Sequence, residues 1–104
     1  MFPIDLKFSS DDISFTRDKK FAVIVGDAPH SILVLNLITK RIKSRYLYTE
    51  EMIEKYECPT RCHVVDHPDH EDHKFIVAVN NNFSVIIFSF EDLKPLYIIP
   101  RDPI

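Results

Sequence analysis

Residues 18–42 read DKKFAVIVGDAPHSILVLNLITKRI, and residues 72–95 read DHKFIVAVNNNFSVIIFSFEDLKP. The two stretches follow one pattern. Phe21 matches Phe75 at an offset of 54, and Ile32 matches Val85 at an offset of 53, so one residue is lost in the turn between the apolar runs. In each copy a run of β-favouring residues is broken by a polar segment and followed by a second run. Self-similarity on this scale marks a supersecondary unit that buries its faces against copies of itself.

Working outward, Ile13–Thr16 alternates apolar and polar and reads as a strand. Phe21–Val25 is apolar throughout, as in a strand covered on both faces. Gly26-Asp27-Ala28-Pro29-His30 interrupts it, because proline cannot join a central ladder. Ile32–Ile38 and Arg41–Tyr48 follow as strands. In the latter, period-two alternation predicts Arg41, Lys43 and Arg45 on one face and Ile42, Ser44 and Tyr46 on the other. Thr49–Glu57 is the predicted helix, with Thr49 as N-cap and Glu50 and Glu51 at the positive end of its dipole. Its apolar stripe is Met52, Ile53 and Tyr56, and Pro59 ends it. Four more strands are expected at Cys62–Asp66, Lys74–Asn80, Phe83–Phe90 and Leu93–Ile99, with Pro95 making the last an edge strand or a late starter.

The expected fold is therefore a single mainly β domain over residues 1–104: two four-stranded antiparallel meanders, at about 8–48 and about 62–99, joined by a short helical connection at 49–61. A β-sandwich or small barrel, with the meanders folded onto each other, is the alternative.

Composition narrows the function classes. A chain of 104 residues with 45% hydrophobic and 28% charged content suits one globular domain. A net charge of −3 argues against a general nucleic-acid binder. The opening MFPIDLKFSSDD has neither the basic nor the apolar region of a secretory leader. No apolar run approaches the roughly 20 residues that span a bilayer. Two cysteines make no disulfide framework, so a cytoplasmic or nuclear setting is expected. One glycine stands against seven prolines, so turns that need positive φ are expected at Asp27 and in Asn80-Asn81-Asn82.

The segment Phe15-Thr16-Arg17-Asp18-Lys19-Lys20, followed by Phe21–Val25, resembles the opening of a blade in WD-repeat-like β-propellers. Those blades show an apolar residue, a polar turn containing aspartate and an apolar run. Ser31–Lys40 resembles their third strand, with Asn36, an apolar residue and a polar turn at its end. The second copy runs from His67-Pro68-Asp69 through Phe75–Val79 and Phe83–Phe90. The likeness covers most of residues 8–99. It lacks the Trp-Asp dipeptide and the Gly-His signature, and the loop from Val65 to Phe75 is longer than that from Phe15 to Phe21. The resemblance implies blades of a ring. Two blades cannot close a ring of typically about four to eight, so it also implies further copies or partners.

Cys58 to His73 is the chemically dense segment. Zinc takes Cys and His at short spacings. The candidate ligands are Cys58, Cys62, His63, His67, His70 and His73, with zinc as the cofactor they would hold. On a strand, the i, i+4 pair His63 and His67 lies about 13 Å apart, so only a folded loop could gather it. The alternative is a solvated acidic loop, in which the carboxylates would favour charged histidine. Arg41, Lys43 and Arg45 could meet phosphate or an acidic partner, or simply keep an edge strand from pairing. No phosphate loop, nucleophile elbow or Ser-His-Asp spacing is present. Phe21, Phe75, Phe83, Phe88 and Phe90 read as packing residues.

The leading expectation is a non-enzymatic protein-interaction or scaffold module without cofactor, supplying blades to a propeller assembly. Its partner would be another protein or further copies of itself. The closing edges would be the first strand, through Ile13 and Phe15, and the last, through Leu96 and Ile98, with Arg41, Lys43 and Arg45 beside them. The alternative is a self-contained β domain that binds a divalent metal or a ligand through residues 58–73.

Overall fold

A computed structural model describes residues 10–27, 30–67, 69 and 73–100. The strands are β1 (Ser10–Phe15), β2 (Phe21–Asp27), β3 (His30–Asn36), β4 (Arg41–Leu47), β5 (Pro59–Asp66), β6 (Lys74–Asn80), β7 (Val85–Ser89) and β8 (Pro95–Ile99). Helix α1 (Glu50–Tyr56) connects β4 to β5. Two separate four-stranded antiparallel sheets result, ordered β1-β2-β3-β4 and β5-β6-β7-β8. No hydrogen-bonded closure into a barrel joins them among the described residues.

The internal repeat is a repeat of register. Phe21 lies opposite Asn36, Ala22 opposite Leu35 and Val25 opposite Ile32. At the sequence offsets, Phe75 lies opposite Ser89, Ile76 opposite Phe88 and Val79 opposite Val85. The lost residue is absorbed between the paired strands, so each side chain keeps its face despite the shorter connection.

The two sheets pack by non-equivalent faces. The main core joins Val23, Val25, Ile32 and Val34 of the first sheet to Ile76, Ala78, Ile86 and Phe88 of the second. By the repeat register, the second-sheet counterparts of Val23 and Val34 are Val77 and Ile87, on the opposite face. A sandwich with a two-fold relation would bury matching faces. Here one sheet's back lies on the next sheet's front. Phe21 edges onto Phe90 and Tyr46 onto Phe88, with centroids 5.3 and 5.0 Å apart. A second cluster, Ile24, Leu33 and Leu35 with Ile13 and Leu37, lies on the other face of the first sheet.

Helix α1 follows its caps. Thr49 Oγ1 accepts from Met52 N at 3.1 Å, and Glu57 N donates to Ile53 O at 2.8 Å. Met52, Ile53 and Tyr56 pack against the main core, as the stripe predicts. A buried chain runs below the helix: Tyr48 Oη donates to Asn80 Oδ1 at 2.7 Å, and Asn80 Nδ2 donates to Ser84 Oγ at 3.0 Å.

Several expectations need correction. β5 begins at Pro59, earlier than Cys62, because a register shift lets Pro59 sit opposite Asn80 at its margin. Phe83 lies in the β6–β7 turn, outside the strand. Among the described residues, positive φ falls on Lys19, Lys40, Glu57, Phe83 and Leu93. Asn and Asp act beside them as side-chain acceptors. Asp18 Oδ1 takes Thr16 Oγ1 and Lys20 N, Asn36 Oδ1 takes Ile38 N and Thr39 N, and Asn82 Oδ1 takes Ser84 N. Asp18 and Asn82 immediately precede a left-handed residue, whereas Asn36 opens the turn that Lys40 closes. Of the expected turn residues, Ala28 and Pro29 lie outside the described residues, as do residues 8 and 9 at the start of the first meander.

Two stability outcomes follow. Phe21 faces the second sheet, whereas Phe75 lies on the second sheet's outer face, so sequence equivalence is not environmental equivalence. Chemical denaturation should show Phe21→Ala costing about 2–3 kcal/mol and Phe75→Ala less than about 1 kcal/mol. Equal losses would contradict the face assignment. Lys40→Gly should stabilise by about 0.5–1 kcal/mol, because φ of 61° strains a residue with a Cβ. An unchanged or lower denaturation midpoint would show that the strain is absent.

Candidate functional site

The inner strands fix how the sheets meet. Backbone approach between sheets is concentrated where β5 meets β1 and β2. Asp12 Oδ2 accepts from Cys62 N at 3.0 Å, and Ser14 Oγ accepts from Val64 N at 3.3 Å. The edge N–H groups of β5 thus end on β1 side chains in place of another strand. Cys62 Sγ donates to Val23 O at 3.3 Å. Burial first, then the nearby Asp12, pushes the Cys62 thiol up to about 12.

This placement separates the proposed metal ligands. Cys62 points into the core, while His63, its neighbour on an extended strand, is exposed on the outer face. Cys58 precedes β5 and His67 follows it, so eight strand residues hold them about 25 Å apart. His67 and His73 do meet across the hairpin, with ring centroids 6.4 Å apart, and His67 Nδ1 already accepts from Asp69 N at 3.0 Å. His70 lies outside the described residues. Among the described residues, no group of three or more candidate ligands converges.

The basic stripe is also divided. A bulge between Val34 and Leu35 shifts β4, so Leu33 faces Arg45 and Leu35 faces Ile42, while Val34 faces Ser44. Arg45 therefore shares the outer face with Ile42. Lys43 turns toward the second sheet, donates to Glu91 O at 2.8 Å and lies 5.1 Å from the Phe90 ring centroid. Arg41 is exposed at the start of the strand. Of the proposed edge residues, Ile13 is half-buried in the second cluster, and Phe15, Leu96 and Ile98 are exposed. Ile98 lines a cleft of about 220 Å³ with Tyr46, Met52, Tyr56, Ile86 and Pro95, with Glu51 and Lys55 also on its wall.

Sequence reading missed the surface that stands out in the structure. Across the outer face of the second sheet, one row runs Arg61, Val79, Val85, Ile99, and the next His63, Val77, Ile87, Tyr97. Val65, Phe75 and Ser89 form a third. With strands about 4.8 Å apart and residues about 3.3 Å along them, the rows cover roughly 300–400 Å² in plan. An apolar patch of that size is often functional. Tyr97 is 67% and Ile99 52% exposed, whereas Ile24, Leu33 and Leu35 on the first sheet's outer face are inaccessible. The repeat carried the signal: once the first copy covers its Val23 face, the second copy's Val77 face is the one left over.

No known protein family model matches the sequence, and no curated protein matches it either. Among solved structures the chain is similar to Kuenenia stuttgartiensis hydrazine synthase, with a TM-score of 0.64 and 12% identity. The match covers 94% of this chain and 25% of that one, so the chain spans about a quarter of the length of its structural neighbour. At this identity the likeness shows the fold alone.

The inaccessible thiol makes a chemical test of the sheet contact. In the native protein at about pH 8, iodoacetamide should leave Cys62 unmodified, and denaturant should expose it. Peptide mass mapping checks this, and rapid native alkylation of Cys62 would mean that β1 and β5 separate readily.

Proposed function

We propose that the chain is a non-enzymatic protein-interaction module of propeller-blade type, whose second sheet receives a further β-sheet on its outer face. The packing of the two sheets by non-equivalent faces carries this reading. Such a contact is heterologous: each use leaves one face free for the next, until a ring closes or a partner caps the stack. The free face here is the row His63, Val77, Ile87, Tyr97 and its neighbours. Because the matching first-sheet face through Ile24, Leu33 and Leu35 is inaccessible, its occupant would be an apolar sheet face of another protein or this same outer face of a second copy. An apolar face selects protein over nucleic acid. No disulfide joins Cys58 and Cys62, which fits a reducing cytoplasmic or nuclear setting. No helix among the described residues is long and apolar enough to cross a membrane.

The reading is tested by sedimentation of the wild type and of Ile87→Glu. A stable interface should bury about 1,200–2,000 Å² in total. The wild type should self-associate, and the charge placed in the interface should weaken association while leaving the melting temperature of the unit nearly unchanged. A wild type that stays monomeric at about 100 µM, well above the Kd of a stable contact, and unfolds cooperatively would overturn the proposal.

A further inference from the structure

The antiparallel order of the first sheet puts the β1–β2 and β3–β4 turns at one end and the connection through α1 at the other. With β4 seven residues long, these ends lie about 23 Å apart. They are opposite in charge, and each has an apolar centre.

At the turn end, Phe15 is 46% and Ile38 68% exposed. Around them are the exposed cations Arg17, Lys19, Lys20 and Lys40, with Lys19 Nζ 5.9 Å from the Phe15 ring centroid. The one carboxylate in these two turns, Asp18, is held below its usual range by the hydrogen bonds from Thr16 and the Lys20 backbone, so it stays charged, and the local balance is still positive. At the helix end, Glu50, Glu51, Glu54 and Glu57 are exposed, and Lys55 lies 3.7 Å from Glu51. Beside them is Phe83, 73% exposed at φ 70°.

Phe83 is a costly residue for that position. A bulky side chain in the left-handed region is strained, and burial does not offset the strain here. Its turn is nevertheless fixed: Asn82 Nδ2 donates to Lys55 O and Asn81 Nδ2 to Glu57 Oε1, both at 2.8 Å. A rigid, projecting aromatic ringed by charge is the form of an interface anchor.

We propose that the helix end of one copy docks onto the first-sheet turn end of a second copy, with Phe83 set against Phe15 and Ile38 and the glutamates of α1 facing Arg17, Lys19, Lys20 and Lys40. The charge complementarity of the two ends selects a second copy as the occupant. Glu91 and Asp92, in the β7–β8 turn at the end of the second sheet, repel the acidic helix and keep the contact on the first-sheet half. The contact is end-to-end, does not depend on the sheet-face reading, and is small enough to be weak and salt-sensitive.

The test uses Ile87→Glu as the background, so that sheet-face assembly does not contribute. Sedimentation velocity should show self-association at about 50 mM salt that weakens about tenfold or more at about 500 mM. A combined Lys19→Glu, Lys40→Glu variant and a combined Glu50→Lys, Glu54→Lys variant should each lose self-association, and an equimolar mixture should restore it as mixed head-to-tail assemblies. Phe83→Gly should raise the melting temperature, by relieving the backbone, while weakening association about tenfold. Absence of salt-sensitive association in the background protein would overturn the proposal, as would failure of the charge-reversed pair to associate. Association untouched by Phe83→Gly would overturn the anchor. Binding of poly-lysine without self-association would assign the acidic end to a basic partner and overturn the second copy as occupant.

Discussion

Two backbone N–H groups on β5 set the geometry of this molecule. Cys62 N and Val64 N lie on a strand edge that no strand pairs, and Asp12 and Ser14 of β1 accept from them. An unpaired buried N–H costs about 1–3 kcal/mol, so the side chains hold the two inner strands together where backbone pairing would have merged the sheets. Because β1 and β5 are tied but not laddered, the sheets remain separate and can pack face on face. Close approach is confined to the inner strands. Toward β4 and β8 the space is filled by the larger side chains Tyr46, Phe88 and Phe90 and by the stripe of α1.

Much of this was legible in the sequence. The repeat gave the hairpin register, because period-two alternation fixes both the pairing and the face of each residue once one pair is known. The helix was legible from its cap and stripe. Which faces meet was not. Strands such as Phe21–Val25 are apolar on both sides, and a doubly apolar strand contains no instruction about which side is covered first. The leftover face of Val77 and Ile87 became visible only with the partner of Val23 in place.

Local chemistry misled where one residue broke a period. The β4 bulge reversed the alternation between Ile42 and Ser44, so a three-residue basic stripe became an outward Arg45 and a Lys43 bound to the β7–β8 turn. In the Cys58–His73 segment, density in sequence did not become proximity in space. A strand of eight residues carries Cys58 and His67 to its opposite ends and turns Cys62 and His63 to opposite faces. Sequence spacing predicts a metal site only where the chain folds back on itself, and here it is extended.

The single glycine has a consequence for how the chain reaches this fold. Three of the hairpin turns close through Lys40, Phe83 or Leu93, and a fourth through Lys19, each in a conformation that such residues rarely visit in an open chain. A turn of that kind is a poor starting point, since its native form is a minor member of the unstructured ensemble. The order of events is then inverted relative to glycine-turned hairpins. The apolar strands must collapse and align first, and the turns are pressed into shape afterwards by the ladders on either side. In a transition state built this way, the strand centres carry the structure and the loops contribute late.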